Sequence, residues 1–156
     1  MIEVNVPGYK VLRIEHLVLD HNGTLAVDGT LIEGVKECLE ALSQVLKIHV
    51  VTADTFGKAR SQLAGIPCEL TVLPSGHQDA GKLAFVKKLG SDRTACIGNG
   101  RNDCLMLKEA SLGIAVVLAE GAATVTLTAA DVVCTSILSA LELFQNPLRL
   151  TATLRS

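Results

Sequence analysis

Aromatic side chains are scarce in this chain of 156 residues: they make up 3% of it, with no tryptophan and one tyrosine. Surfaces on which nucleic-acid bases stack need aromatic rings, so a single-stranded nucleic acid is not an expected partner. The formal net charge of −2 gives no general attraction to nucleic acid or to anionic lipid. No apolar stretch reaches the ~20 residues that cross a bilayer. We therefore expect neither nucleic acid nor a membrane as a partner.

Cysteine and histidine also lack the spacings that bind metals. The five cysteines form no Cys-x-x-Cys pair, so neither a zinc site nor a redox motif is indicated. We expect these thiols to pack as small buried hydrophobic groups. The four histidines show no pair at the i, i+4 spacing of helical metal ligands.

Aliphatic residues are plentiful where aromatic ones are scarce. Hydrophobic residues make up 49% of the chain and charged residues 19%, a composition that builds a core and argues against disorder. No linker, repeat or low-complexity block interrupts it, so residues 1–156 are expected to form a single domain. Residues 1–5 lack the basic and apolar regions of a secretion signal, and a cytoplasmic location is expected.

Short apolar runs alternate with segments of helical periodicity along the chain. This order predicts an α/β fold of the doubly wound, Rossmann-like type, with a parallel sheet and helices on both of its faces. Strands are expected to end at Asp20 and to cover residues 48–52, 69–73, 94–97, 112–117 and 131–133. Helices are expected over residues 33–46, 56–64, 78–89, 102–110, 121–129 and 136–144. The tail from Asn146 is expected to be partly mobile.

An Asp-Gly pair predicts a small flap directly after the first strand. Asp28-Gly29 lies between apolar neighbours within residues 24–31, which is a hairpin signal. The rest of the stretch up to Thr52 is filled by a helix and a strand. The stretch from Thr52 to Lys82 is filled by a helix, a strand and a helix. Neither stretch leaves room for a further domain.

Polar residues follow three of the predicted strands, and the carboxyl ends of such strands are where open α/β sheets place their ligands. Asp20 and Asn22 follow the first strand, where Gly23 allows a sharp turn. The other polar groups are Thr52, Lys82, Asn99 and Asp103. A carboxylate nucleophile, a hydroxyl, an ammonium and a second carboxylate together describe a phosphoryl-transfer site. A hard cation would bridge the carboxylates and the phosphate.

Each residue taken singly has a simpler interpretation. Asp20 to Gly23 can be a strand followed by an Asn-Gly turn. Thr52 can merely cap the next helix, and Lys82 can be a solvated helical lysine. Only their combination and order favour the functional interpretation.

Four segments resemble the four sequence motifs of the haloacid dehalogenase superfamily. They are Asp20-His21-Asn22-Gly23-Thr24, Val51-Thr52-Ala53-Asp54, Lys82 and the ten residues from Gly98 to Leu107. The last segment is the most specific, because it matches the pattern Gly-Asp-Gly-x-Asn-Asp-x-x-Met-Leu with one substitution. The resemblance covers roughly residues 15–135. Within the superfamily it is greatest to soluble relatives of the phosphorylation domain of P-type ATPases.

The resemblance implies a magnesium-dependent phosphatase that forms an aspartyl-phosphate on Asp20. The implied catalytic residues are Asp20, Asn22, Thr52 and Lys82. The implied phosphate-binding residues are Asp20, Gly23, Thr52, Ala53 and Lys82. The implied ligands of Mg²⁺ are Asp20, the backbone carbonyl of Asn22, Asp103 and Asn99. The substrate would be a small phosphorylated metabolite, or an acyl or aryl phosphate. Relatives without a cap domain commonly close the site with a neighbouring subunit, so a homo-oligomer, such as a tetramer, is also implied.

Two departures from the motifs bear on activity. Superfamily phosphatases usually have Asp where this chain has Asn22, and that Asp acts as general acid and base. The motif also has Asp where this chain has Asn99. Both amides are neutral, so we expect weaker magnesium binding and slower hydrolysis. Two other functions remain open: a weakly active or inactive relative that binds a phosphorylated ligand or a protein, and a P-type-like nucleotide hydrolase.

Overall fold

The structure, a computed structural model, describes residues 1–54 and 57–156 and shows strands that alternate with helices. The strands are β1 (Ile2–Val6), β2 (Lys10–Ile14), β3 (His16–Leu19), β4 (Ala26–Val27), β5 (Thr30–Leu31), β6 (Lys47–Thr52), β7 (Glu69–Val72), β8 (Thr94–Gly98), β9 (Leu112–Val116) and β10 (Val132–Cys134). The α-helices are α1 (Val35–Leu42), α2 (Ala59–Gln62), α3 (Gln78–Leu89), α4 (Cys104–Glu109), α5 (Thr124–Ala129), α6 (Ile137–Gln145) and α7 (Pro147–Leu154). None of the helices in these two ranges is long and apolar enough to span a membrane.

Six strands form one parallel sheet in the order β10-β9-β8-β3-β6-β7. From β3 the chain adds β6 and β7 on one side, then returns to the other side of β3 with β8. The order therefore reverses between β3 and β8, and such a switch point opens a crevice at the carboxyl ends of the strands. Asp20 follows β3 and Asn99 follows β8, so both border this crevice.

Apolar side chains alternate between the two faces of the sheet, and each face is covered by helices. Leu17, Leu19 and Ile97 belong to the larger core, together with side chains of α1 and α6. Val18 and Cys96 belong to the second core, together with side chains of α3 and α4. Because strands buried on both faces need apolar residues at every position, their runs are continuous in the sequence. The predicted doubly wound fold is confirmed.

The predicted flap after the first strand is present as the antiparallel pair β4–β5. Asp28 turns the chain with φ of 51°, a left-handed conformation that Asp tolerates better than most residues. Between β3 and α3, the described residues form only this flap, α1, β6, α2 and β7. The helix predicted over 56–64 begins at a residue outside the described ranges, and α2 covers Ala59–Gln62.

Both ends of the chain differ from expectation. No strand was predicted before the one that leads to Asp20, yet β1 and β2 form an antiparallel hairpin. The prediction of a partly mobile tail was wrong, because residues from Pro147 form α7, which packs on β1. Pro147 starts a helix well, and Leu150 is fully buried. The buried faces of the hairpin and of α7 cover each other, a long-range pairing that local sequence patterns do not reveal.

Candidate active site

A buried ammonium group joins two carboxylates at the switch point of the sheet. The Nζ atom of Lys82 donates to Asp20 Oδ1 at 2.7 Å and to Asp103 Oδ1 at 2.6 Å. Lys82 and Asp103 are 0% exposed and Asp20 is 6% exposed, so only Asp20 has contact with solvent. A fully buried lysine is rare unless its charge is paired, and here it is paired twice. The interpretation of Lys82 as a solvated helical lysine is therefore wrong.

The backbone fixes each of these three groups independently. Asp20 follows β3 directly, and its N–H donates to the carbonyl of Ile97 in β8 at 3.0 Å. Lys82 lies in α3, which packs against the loop and helix after β8. Asp103 Oδ2 accepts from the N–H groups of Asn99 and Gly100 at 3.0 and 2.8 Å. The carboxylates are thus held before any ligand binds.

Gly98 is required at the end of β8 because of this packing. A Cβ atom placed there would lie 2.5 Å from the carboxyl carbon of Asp103. Any larger residue would therefore displace the carboxylate from Lys82. Glycine at this position of the motif is therefore explained by the space that the Asp103 side chain occupies.

The charges of the buried groups do not balance. Burial alone would lower the pKa of Lys82, but Asp20 and Asp103 outweigh it and raise the pKa, so the ammonium stays charged. Burial, and then the charge of Asp20, raise the pKa of Asp103 against the opposing effect of Lys82. Two carboxylates facing one ammonium leave one excess negative charge. The site therefore favours a further cation.

Thr24 and Asn99 connect this ion cluster to the surrounding loops. Thr24 Oγ1 lies 3.3 Å from Asp20 Oδ2 and 3.3 Å from Asn99 Oδ1. The amide nitrogen of Asn99 donates to the carbonyl of Gly121 at 2.8 Å. Asn99 is therefore brought to the predicted site, with its nitrogen used in a loop contact and its oxygen facing Thr24. An Asp at this position could not donate to Gly121.

Gly23 makes the close turn beside Asn99 possible. Its φ is 78°, and a Cβ atom there would lie 2.4 Å from Asn99 Nδ2. Its N–H donates to the carbonyl of Ala26 in the flap at 2.8 Å. The turn from Asp20 into the flap therefore depends on glycine both for its conformation and for space.

Thr52 is buried at the end of β6, next to the strand that carries Asp20. Its Oγ1 accepts from the N–H of Asp54 at 3.0 Å, while Asp54 Oδ1 accepts from the N–H of Ala59 in α2. The hydroxyl thus holds the backbone two residues further on, and it does not cap the next helix as the simpler interpretation held, because the N-cap residue of α2 is Lys58. Because it accepts in that contact, its own hydrogen can still be donated to a ligand. Ala53 follows Thr52 and is half-buried.

Asn22 contacts the ring of the residue before it. His21 Nδ1 lies 3.2 Å from Asn22 Oδ1, and Asn22 is half-buried in the turn that leads to the flap. Burial lowers the pKa of His21 against the opposing effects of Asn22 and Asp54, so the ring is neutral near pH 7. His21 was missed as a site residue, because no motif pattern singles it out.

The donor set fits a hard divalent cation. Asp20 would supply carboxylate oxygens and Asn22 a backbone carbonyl in the adjacent turn, both of them hard oxygen ligands. Asp103, whose oxygens already accept from Lys82 and from two backbone N–H groups, would act through a bound water. The excess negative charge of the cluster is a second reason for the fit. The described residues contain no group of three or more His, Cys, Asp or Glu side chains that could hold a metal. A cation held by these few protein oxygens would keep several waters, as Mg²⁺ commonly does.

A second polar cluster lies toward the amino ends of the strands and was not predicted. His16 Nδ1 and His49 Nε2 are 3.1 Å apart across β3 and β6, and Glu69 Oε2 lies 3.2 Å from His49 Nδ1. Phe85 packs edge-on against the His49 ring with centroids 5.5 Å apart. Histidines at positions 16 and 49 meet only through strand pairing, so their spacing in the sequence gives no signal.

Replacing Lys82 by methionine is expected to destabilise the protein by about 3–5 kcal/mol, because two buried carboxylates lose their shared cation. Methionine is similar in size, so the loss reflects charge more than packing. Urea unfolding of Lys82→Met and of wild type measures the difference. Lys87→Met, on an exposed position of the same helix, is the control and should change stability by less than about 0.5 kcal/mol. Equal midpoints for wild type and Lys82→Met would contradict the described ion cluster.

Comparison with known sequences identifies two relatives in the archaeon Methanocaldococcus jannaschii. The uncharacterised protein MJ0073 is 40% identical over 84 residues, which cover 51% of this chain and 90% of that protein. The uncharacterised protein MJ0072 is 49% identical over 39 residues, which cover 25% of this chain and 89% of that protein. No protein-family model matches the chain.

Comparison with solved structures finds similar folds over most of the chain. The cobalt-bound deoxy-D-mannose-octulosonate 8-phosphate phosphatase of Haemophilus influenzae has a TM-score of 0.70 at 13% identity and covers 92% of this chain and 94% of its own. The corresponding Moraxella catarrhalis phosphatase, in complex with magnesium, phosphate and KDO, has a TM-score of 0.65 at 17% identity, covering 88% and 92%. The haloacid dehalogenase-like family protein SP0104 of Streptococcus pneumoniae has a TM-score of 0.61 at 12% identity, covering 85% and 99%. These likenesses confirm the predicted fold.

Proposed function

We propose that this protein is a phosphatase. The chain belongs to the family of the M. jannaschii protein MJ0073, and it has the fold of haloacid dehalogenase-like hydrolases. It acts on a small phosphorylated substrate through an aspartyl-phosphate on Asp20. The observation that carries the proposal is the placement of Asp20. Of the three groups in the buried ion cluster at the switch point of the sheet, it alone has contact with solvent.

The two carboxylate oxygens of Asp20 have different surroundings. Oδ1 accepts from Lys82 at 2.7 Å, whereas among the described residues Oδ2 has only the longer contact, at 3.3 Å, with the Thr24 hydroxyl. In the first step a carboxylate oxygen of Asp20 bonds to phosphorus, and the bond from phosphorus to the leaving oxygen breaks. In the second step a water oxygen bonds to phosphorus and gives up a proton to solvent, and the bond between phosphorus and the Asp20 oxygen breaks. Inorganic phosphate leaves and the carboxylate of Asp20 is restored. Lys82 offsets the negative charge of Asp20 and its phosphate, and Thr52 donates to a phosphoryl oxygen.

Asp20, Asp103 and the backbone carbonyl of Asn22 would hold Mg²⁺, with the amide oxygen of Asn99 as a further candidate. Bound there, the cation supplies charge stabilisation for the phosphoryl group. Of the similar structures, the M. catarrhalis phosphatase contains magnesium and the H. influenzae phosphatase cobalt, which supports a divalent cation. The protein's own contribution is Lys82, which donates to both carboxylates and offsets part of their negative charge.

A weakly active or inactive relative that binds a phosphorylated ligand or a protein is the second candidate function. One observation favours it: both amides that replace expected carboxylates are engaged in contacts. Asn22 contacts His21, and Asn99 contacts Gly121 and Thr24. Asn99 connects two loops, and this structural role does not require that the chain hydrolyse a substrate.

We also propose that a second copy of the chain helps to close the site. The flap β4–β5 is short, and the described residues between β3 and α3 form no larger cover. A neighbouring subunit in a homo-oligomer would supply the missing wall and exclude water. The assembly would be located in the cytoplasm, as the sequence predicts.

Slow hydrolysis of para-nitrophenyl phosphate, dependent on a divalent metal, is the expected result for the purified protein. The leaving group is activated, so the reaction needs little help from a general acid, and Asn22 cannot provide it. The measurement is release of para-nitrophenol with Mg²⁺ and with excess chelator. Undiminished turnover in chelator would contradict the metal site. Absence of turnover at every Mg²⁺ concentration would favour the binding function.

A further inference from the structure

The His21 side chain is a buried polar group beside the nucleophile that the proposed reaction does not use. It is 1% exposed, although it follows Asp20 directly. Its Nδ1 atom contacts Asn22 Oδ1 at 3.2 Å. Its Nε2 atom is enclosed and has no hydrogen-bond partner among the described parts of the chain. A buried nitrogen without a partner costs free energy, so an apolar residue would suit this position better if only packing mattered.

The contact with Asn22 fixes the form of the ring. An amide oxygen only accepts hydrogen bonds, so Nδ1 carries the proton and donates to Asn22 Oδ1. In the neutral ring Nε2 then carries no proton. The Asn22 amide is oriented at the same time, because its oxygen faces the imidazole and its nitrogen faces away from it.

The ring is not needed to hold the backbone of this turn. The carbonyl oxygen of His21 already accepts from the N–H groups of Thr24, Leu25 and Ala26 at 2.9–3.2 Å. Those three bonds fix the turn for any residue at position 21. What the imidazole adds is the contact with the Asn22 side chain.

We infer that His21 is a positioning residue, which holds the Asn22 amide so that its N–H groups donate to the leaving oxygen of the substrate. The inference rests on the proposed phosphatase function, because it assigns Asn22 a place beside the departing group. Asn22 then stabilises the developing negative charge by hydrogen bonding, without transferring a proton. The leaving group departs as the oxyanion and takes its proton from water. A preorganised donor of this kind is worth most when the departing oxygen is most basic.

Replacing His21 by asparagine or by glutamine distinguishes the roles of its two ring nitrogens. In His21→Asn the side-chain nitrogen lies near the position of Nδ1, so the donor to Asn22 is retained. In His21→Gln the nitrogen lies near the position of Nε2, so that donor is lost. With phenyl phosphate, a poor leaving group, we expect His21→Gln to lower kcat about tenfold, the usual lower range for a lost positioning contact. We expect His21→Asn to stay within about threefold of wild type, and para-nitrophenyl phosphate to show the smaller loss in His21→Gln.

A double-mutant cycle tests whether the effect passes through Asn22. In an Asn22→Ala background, the step from His21 to Gln should change kcat for phenyl phosphate by less than about twofold. Equal losses in both backgrounds would overturn the inference, as would equal losses for the two substrates. Thermal unfolding of each variant identifies a loss that comes from misfolding, and the properly folded His21→Asn variant still tests the claim.

A readout without turnover separates this inference from the proposed function. The side-chain ¹H–¹⁵N signals of Asn22, recorded without substrate, should be similar in wild type and His21→Asn and displaced in His21→Gln. Displacement together with absence of turnover in every variant would mean that the phosphatase proposal fails while the positioning contact stands. Unchanged Asn22 signals in His21→Gln would overturn the positioning role whatever the activity.

Discussion

Asp20→Asn is expected to lower phosphatase activity to the background rate, a loss on the order of 10³-fold or more. The amide nitrogen and oxygen cannot form the acyl-phosphate that the carboxylate forms. The substitution also removes one of the two anions that Lys82 contacts, so the loss of rate must be distinguished from a loss of stability. Asparagine is nearly the same size as aspartate, and Lys82 keeps its contact with Asp103 at 2.6 Å. The fold should therefore persist.

The measurement is hydrolysis of para-nitrophenyl phosphate with Mg²⁺, together with unfolding in urea for both proteins. Asp92→Asn makes the same chemical change at an exposed position before β8, at the opposite end of the sheet, and should retain wild-type activity. Beryllium fluoride, an acyl-phosphate mimic, should bind wild type and not Asp20→Asn. If Asp20→Asn retained most of the rate, the nucleophile would lie elsewhere and the proposed mechanism would be wrong.

The fold could be predicted where local pattern and tertiary structure agree. The predicted helix over 78–89 matches α3 at both ends, and the flap around Asp28 is present as expected. Strands such as β3 and β9 are buried along their whole length, so their apolar runs are easily recognised. The β1–β2 hairpin and α7 cover each other across almost the whole length of the chain. A pattern read over neighbouring residues could not connect them.

In the site, too, local sequence motifs identify some residues, whereas other contacts depend on the three-dimensional fold. The sequence motifs name Asp20, Lys82 and Asp103, and the structure brings these three together. The buried contacts of Thr24 and His21 depend on where a turn directs their side chains, which the sequence alone does not show. Roles in binding phosphate and metal remain predictions, because they concern ligands.

Asn22→Asp is expected to raise turnover of phenyl phosphate by about 10²-fold or more, the usual range for a general acid. A protonated carboxyl group can donate its proton to the departing oxygen, which the amide cannot do. The gain should grow with the basicity of the leaving group and be smallest for para-nitrophenyl phosphate. The new carboxylate can still accept from His21 Nδ1, which lies 3.2 Å from Asn22 Oδ1, so the side chain should keep its orientation.

A series of aryl phosphates with graded leaving-group basicity, measured on wild type and Asn22→Asp, tests this expectation. Asn5→Asp, on an exposed position of β1, adds the same charge far from the site and should change none of the rates. The added charge beside Asp20 and Asp103 should also lower the Mg²⁺ concentration needed for half-maximal rate, because it adds to an excess of negative charge. Background turnover of Asn22→Asp with every substrate would favour a binding protein. Equal, measurable rates for wild type and variant across the series would mean that a missing general acid does not limit this site.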